Sequence, residues 1–220
     1  MTQHRFVGDT TPWSAREYVT VGNYTMYPYS RGHVHITGRD VSSPLDFNLG
    51  FFSDPGDIDL KQLVWAYKKA RELMRRTTFY RGEHPPTHPR FDADSPAAIV
   101  QNLKAPLFTT ESERDALPDI VYSEKDDIAI EELIREVVAT TWHSLGTNKM
   151  APREKKRGVV DEHLNVYGVG GLKVVDLSIA PQNVAANTNN TAMVIGEKGA
   201  DIIARELGVV LSEGPLLPVT

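Results

Sequence analysis

Six of the chain's 14 prolines fall between Arg81 and Asp119, and this tract constrains the fold more than any other feature. Proline fixes φ and removes a backbone donor, so "HPPTHPRFDADSP" (84–96) is predicted to hold no regular structure. A tract of that length inside one domain is predicted to be a long surface excursion rather than a linker. Regular structure is therefore expected on either side of it.

On the N-terminal side, "EYVTVG" (17–22) and "HVHITG" (33–38) have strand-like alternation around the turn-like "YPYSRG", with aromatics interleaved through residue 52. After "SDPGD", whose aspartates are candidate caps, Leu60, Leu63, Tyr67, Ala70 and Met74 recur at helical spacing, predicting a helix over 58–76. Beyond the excursion, Ser123 and Asp126 have the spacing of a capping box. The stripe Ile130, Leu133, Ile134, Val137 and Val138 extends a helix expected to end at Trp142 and His143, with Gly146 as its terminator. "GLKVVDLS" (171–178) is predicted as a strand closed by Asp176. "NNTAMVIGEKGADIIARELG" (189–208) is predicted as a helix that is capped by Asn190 and stops at Gly208. Ala192, Gly196 and Gly199 lie along one side of that helix, where only close packing would repay their low helix propensity.

Composition narrows the chemistry. With 24 basic and 29 acidic residues the net charge is −5, which supplies no field for nucleic acid or an anionic membrane, so neither is an expected partner. The absence of cysteine excludes disulfides, thiolate nucleophiles and iron–sulfur clusters. No apolar run reaches the roughly 18 residues of a membrane span, and "MTQHRFVGDTTPW" has no signal-peptide core.

Metal sites are the weaker reading at each place they suggest themselves. His33 and His35 share one face of a strand, as metal-binding pairs do, but no third ligand follows at suitable spacing. His84 and His88 sit four apart with prolines between them that forbid the aligning helix. No metal is expected. The glycines of "YGVGGLKVV" fail the G-x-G-x-x-G register at Lys173, so they are predicted to form a turn and not a dinucleotide loop.

Three blocks in the C-terminal third carry a more specific signal: "TTWHSLGTNKM" (140–150), "RGVVDEHLNVYGVGGLKVVDLSIAP" (157–181) and "NVAANTNNTAMVIGEKGADII" (183–203). In this order and spacing they resemble the C-terminal signature of the glucose-methanol-choline (GMC) family of FAD-dependent oxidoreductases. "YPYSRGHVHITG" resembles the family's "SRG" strand. The likeness is greatest to fungal alcohol-oxidising members, whose "FFSDP", "VWAYK", "FYRGE" and "TTWHSLGT" stretches recur at 51–55, 64–68, 79–83 and 140–147. Departures stand at "TNKM", where relatives have a small residue or cysteine before the methionine, and at the basic "EKKRG" before Val159.

The resemblance implies an α+β fold: an antiparallel-sheet substrate-binding domain with flanking helices (1–157, including the excursion), then the last strand and helix of an FAD-binding domain (158–210), and a tail (211–220). It implies oxidation of short primary alcohols to aldehydes by proton abstraction and hydride transfer to FAD, with oxygen as acceptor. His143 is the implied base, and Asn187 the implied second catalytic residue, which donates a hydrogen bond to the developing alkoxide without competing for its proton. Asp176, Asn187, Thr188 and Asn190 are the implied FAD-binding residues, an aspartate that simply caps the next turn being the equal alternative for Asp176, and Trp142 is the implied wall of the alcohol pocket, a core tryptophan being its plainer alternative. A primary alcohol is the implied substrate, and a complementary FAD-binding chain or further copies of this chain the implied partners. The expected location is intracellular, cytoplasmic or peroxisomal, although Pro218–Val219–Thr220 does not resemble a peroxisomal tripeptide.

Because no G-x-G-x-x-G unit occurs, the chain by itself is expected to hold no stoichiometric FAD. A visible spectrum of the purified chain checks this, and a one-to-one yellow complex would overturn it. The alternative expectation is a non-enzymatic, truncated remnant that binds at most a partner chain.

Overall fold

The computed structural model describes residues 17–155 and 157–211. The chain divides into two compact units, Met1–Thr141 and Trp142–Thr220.

In the first unit, β1 (His33–His35) pairs antiparallel with β2 (Asp46–Asn48), Val34 standing opposite Phe47. The predicted strand "EYVTVG" does not form, because no described segment pairs with it and a ladder needs a partner. Helix α1 (Ile58–Arg75) buries Leu60, Leu63, Val64 and Tyr67 against Ile130 and Ile134 of α3 (Glu124–Val137), and Phe52, Phe91 and Tyr122 close the cluster. Each such aliphatic side chain contributes roughly 1.5–3 kcal/mol. The aspartates flanking the start of α1 do more than cap it. Asp54 Oδ2 accepts from Ile58 N at 2.6 Å and Oδ1 accepts from Ser30 Oγ at 2.9 Å, while the Asp59 carboxylate accepts the backbone N–H groups of Tyr29 and Ser30. The "SRG" segment is thereby tied to the helix.

The expectation of an unstructured surface excursion over 81–119 is corrected by the structure. Pro85–Thr87 forms a 3-10 turn, which proline tolerates in the first helical positions, and α2 (Glu111–Ala116) forms behind a Thr110–Glu113 capping box. Ala97 and Phe108 are buried, and Glu83 pairs with Arg71 of α1 inside the unit. The capping box at Ser123 and Asp126 forms as the spacing predicts, with Ser95 Oγ also donating to Asp126. Burial would raise the Asp126 pKa, but the Ser123 and Ser95 hydrogen bonds and the Arg71 charge outweigh it and hold the carboxyl below its usual range.

Helix α3 stops at Val137, five residues short of the expected Trp142. Val138 and the residues after it leave helical geometry, so His143 is not a helix-ending residue and Gly146 is not a helix terminator.

The second unit is built on Val160, Leu164 and Ile179, packed by Val174, Val175, Ile195 and Ile202. Its chain runs in turns joined by isolated bridges: Met150 with Val160, Val160 with Val166, and Asn165 with Lys173. "GLKVVDLS" is therefore not a strand. It makes one bridge, with Leu172 O accepting from Val166 N and Val174 N donating to Leu164 O on either side of it, and the pairing ends where Asp176 caps a 3-10 turn at Leu177–Ile179. Helix α4 (Asn189–Glu206) covers the cluster, and Gly208 at φ +69° provides its expected left-handed stop. Its first residue is Asn189 with Thr188 in the cap position, so Asn190 lies in the first turn rather than capping it.

The small-residue side of α4 divides into two environments. A Cβ at Gly199 would stand 2.2 Å from Val175 Cγ1, whereas one at Gly196 meets nothing within 4 Å. Gly199→Ala is therefore expected to destabilise the chain by about 1–3 kcal/mol through overpacking, while Gly196→Ala stabilises it by up to about 1 kcal/mol through helix propensity. Urea titration of the two variants checks this, and equal shifts would refute the packing role of Gly199.

Among the described residues, no helix is long and apolar enough to cross a membrane, and no group of three His, Cys, Asp or Glu side chains is arranged to hold a metal. His33 and His35 stack with ring centroids 5.3 Å apart, and His33 Nε2 lies 3.1 Å from Asp46 Oδ1.

Candidate active site

The segment after Trp142 is held by a run of backbone bonds to the 3-10 turn. Gly146 N donates to Leu177 O at 3.2 Å, Asn148 N to Ser178 O at 2.9 Å, and Met150 N to Ile179 O at 2.8 Å. Asn148 Nδ2 adds a bond to Ser178 Oγ at 3.0 Å. Gly146 has φ +79°, and a Cβ there would sit 3.1 Å from Ala180 O, so a side chain would disturb both the turn and this contact. "TNKM", which departs from the family pattern, thus contributes an anchor through Asn148.

His143, half-buried, extends from this anchored segment to the loop before α4, where Nδ1 lies 2.8 Å from Thr188 Oγ1. Thr188 is only 3% exposed, whereas its neighbours Asn187 and Asn190 are exposed. Asn187 is one peptide unit from the residue that touches His143, and its Oδ1 accepts from Asn189 N at 3.2 Å. No sequence pattern pairs positions 143 and 188, so the contact could not be read before folding.

Two non-glycine residues flank this contact in left-handed geometry, Trp142 at φ +60° and Ala185 at φ +52°. Such conformations cost roughly 1–2 kcal/mol per residue and persist where surrounding structure imposes them. Trp142 is 78% exposed. Asp176 is exposed, and its Oδ1 accepts from Ser178 N at 2.7 Å.

At α4 the first turn contains no acidic residue, and no side-chain cap hydrogen bond is made by Thr188. The first N–H of the helix, that of Asn189, donates to Asn187 Oδ1, and the positive end of the helix dipole lies at this loop. Nearby, burial works against ionisation of Asp161, but bonds from Asn165 and His163 prevail and keep its carboxyl below the usual range. That bonding fixes the turn leading to Leu164 in the core under α4.

Residues 28–196 match the model of a family described as GMC oxidoreductase. The chain is 40% identical to the alcohol oxidase of Candida boidinii over 94% of its own length and 37% of that protein's. It is 41% identical to the alcohol oxidase of Pichia angusta over 92% and 36%. It thus spans a little over a third of the length of these relatives. Among solved structures, it superposes on an FAD-dependent oxidoreductase from Chaetomium thermophilum with a TM-score of 0.57 and 23% identity, covering 84% of this chain and 26% of the other.

Proposed function

This chain belongs to the GMC oxidoreductase family, and from that premise we propose that it forms the C-terminal catalytic portion of an FAD-dependent alcohol oxidase acting on short primary alcohols. The observation that carries the proposal is the His143–Thr188 contact, which places the only histidine of the "TTWHSLGT" block against the residue following Asn187.

In this reading His143 takes the hydroxyl proton of the alcohol, and Asn187 donates from its side-chain amide to the same oxygen as negative charge develops. Residues 1–157 supply the substrate-binding part and 158–210 the C-terminal part of the flavin-binding domain. FAD, when bound, supplies the acceptor for the carbinol hydride. Asn187, Thr188 and Asn190 at the start of α4, together with Asp176, would hold it. The polypeptide that supplies the rest of the flavin site, in the same or a complementary chain, and further copies of this chain are the proposed partners.

The test joins this chain to the flavin-nucleotide portion of the Candida boidinii enzyme and mixes the product with alcohols from methanol to hexanol without oxygen. Loss of the oxidised-flavin absorbance is expected with short primary alcohols. A loaded protein that no primary alcohol bleaches would exclude the reading and leave a non-enzymatic partner-binding role.

Trp142 provides a separate prediction. It precedes the proposed base in the chain and is 78% exposed, and in this reading its indole walls the alcohol pocket. Trp142→Ala should raise kcat/KM for pentanol and hexanol relative to methanol, because the emptied volume no longer positions a short alcohol. A uniform fall across the series would show that the ring does not contact substrate.

A further inference from the structure

We propose that Thr188 is a positioning residue for His143: its hydroxyl holds the ring with the hydrogen on Nδ1 and leaves the Nε2 lone pair available to the alcohol. The inference rests on the alcohol-oxidation reading for its role, but the contact itself does not. Its basis is the 2.8 Å separation of Thr188 Oγ1 and His143 Nδ1, made by a residue that is only 3% exposed.

A neutral imidazole has one N–H and one lone pair, and the partner of one nitrogen decides the character of the other. If His143 takes a proton at Nε2, its resting hydrogen must be on Nδ1, and that nitrogen needs an acceptor. Thr188 Oγ1 has two lone pairs and is in reach. Unlike a carboxylate, the hydroxyl brings no charge, so it orients the ring without pairing the imidazolium to a fixed anion.

The surrounding backbone supports an imposed geometry. Thr188 sits in the cap position of α4 yet spends no side-chain hydrogen bond on the helix, and its hydroxyl turns to His143 instead. A threonine that caps nothing while lying buried against an imidazole has given up a contribution typically worth about 1 kcal/mol. On the other strand of the contact, the bonds from 146–150 to 177–179 and the left-handed Trp142 fix where His143 starts.

The test uses the full chain with 15N-labelled histidine and needs no flavin. Long-range proton–nitrogen spectra distinguish the tautomers, and the signals missing from His143→Gln assign the ring. At a pH where the ring is neutral, the unaltered chain is expected to show Nδ1–H and a pyridine-like Nε2. Thr188→Ser should retain that pattern, whereas Thr188→Val, similar in shape but without the hydroxyl, should give averaged nitrogens of exchanging tautomers. An Nε2–H ring in the unaltered chain, or a valine spectrum identical to it, overturns the proposal. If the valine chain does not fold, the unaltered and serine spectra still decide. In the flavin-loaded chimaera, Thr188→Val should lower kcat at least 10-fold with KM changed less than threefold, and Thr188→Ser should recover most of it. Fixed Nδ1–H spectra with no alcohol oxidation would retire the functional reading and leave the tautomer assignment standing.

Discussion

Replacing His143 by glutamine in the flavin-loaded protein is expected to lower kcat by about 10²- to 10⁴-fold, the usual contribution of a positioned base. Glutamine keeps a polar side chain of comparable reach, so it can still satisfy the Thr188 hydroxyl, but it cannot accept a proton near neutral pH. Oxidising an alcohol requires removal of a hydroxyl proton whose pKa lies far above neutral, and an amide cannot supply that step. Flavin content and KM should change little, since the fold of 142–150 is fixed by backbone bonds to 177–179 and not by the imidazole. Stopped-flow flavin reduction at saturating alcohol measures the effect directly. A variant that retains more than a tenth of the rate would remove His143 from the chemistry and leave its contact with Thr188 as a structural one.

The largest expected effect on stability lies in the other unit. Arg71 and Glu83 are only 3% and 5% exposed at their side chains, and they meet in a bidentate pair at 2.6 and 2.8 Å. Arg71 also donates to Ala97 O and the Tyr122 hydroxyl and lies 5.1 Å from the Phe91 ring centroid. Burial alone would depress the Arg71 pKa, but Glu83 outweighs it and keeps the guanidinium firmly charged. Glu83→Gln removes the anion and leaves that charge inside a low-dielectric cluster, at a cost of about 3–5 kcal/mol. For a domain whose total stability is about 5–15 kcal/mol, this is a large fraction. The double variant Arg71→Met, Glu83→Leu should recover at least half of the loss, since no uncompensated charge remains. Equilibrium unfolding in urea, followed by circular dichroism, reads both. A cost below about 1 kcal/mol for Glu83→Gln would show that the cation finds water or another partner.

Glu83 also shows why the course of the excursion is not legible in the sequence. Proline density reports only what backbone geometry forbids, and it forbids long helices and ladders correctly between residues 84 and 110. It is silent about a glutamate at position 83 seeking an arginine at position 71, a pairing visible only when the tract has wrapped α1. The two short helical segments likewise arise where local chemistry permits them, at Pro85 in the first position of a turn and at the Thr110–Glu113 box.

What the sequence by itself determined was whatever rests on near-neighbour physics or on long ordered motifs: α1 and the body of α3 from their apolar stripes, the Ser123–Asp126 box, the stop at Gly208, and the family from three blocks spanning 140–203. The tertiary structure alone decided the rest. Whether an apolar run becomes a strand depends on a partner: "EYVTVG" has none among the described residues, and "GLKVVDLS" has only the short stretch around Asn165, enough for one bridge. Where a helix ends depends on what the chain must reach next, so α3 stops at Val137 and His143 lies on an anchored loop. The contact between His143 and Thr188 joins residues 45 positions apart, and its hydrogen bond exists only because packing under α4 brings those two segments within 2.8 Å.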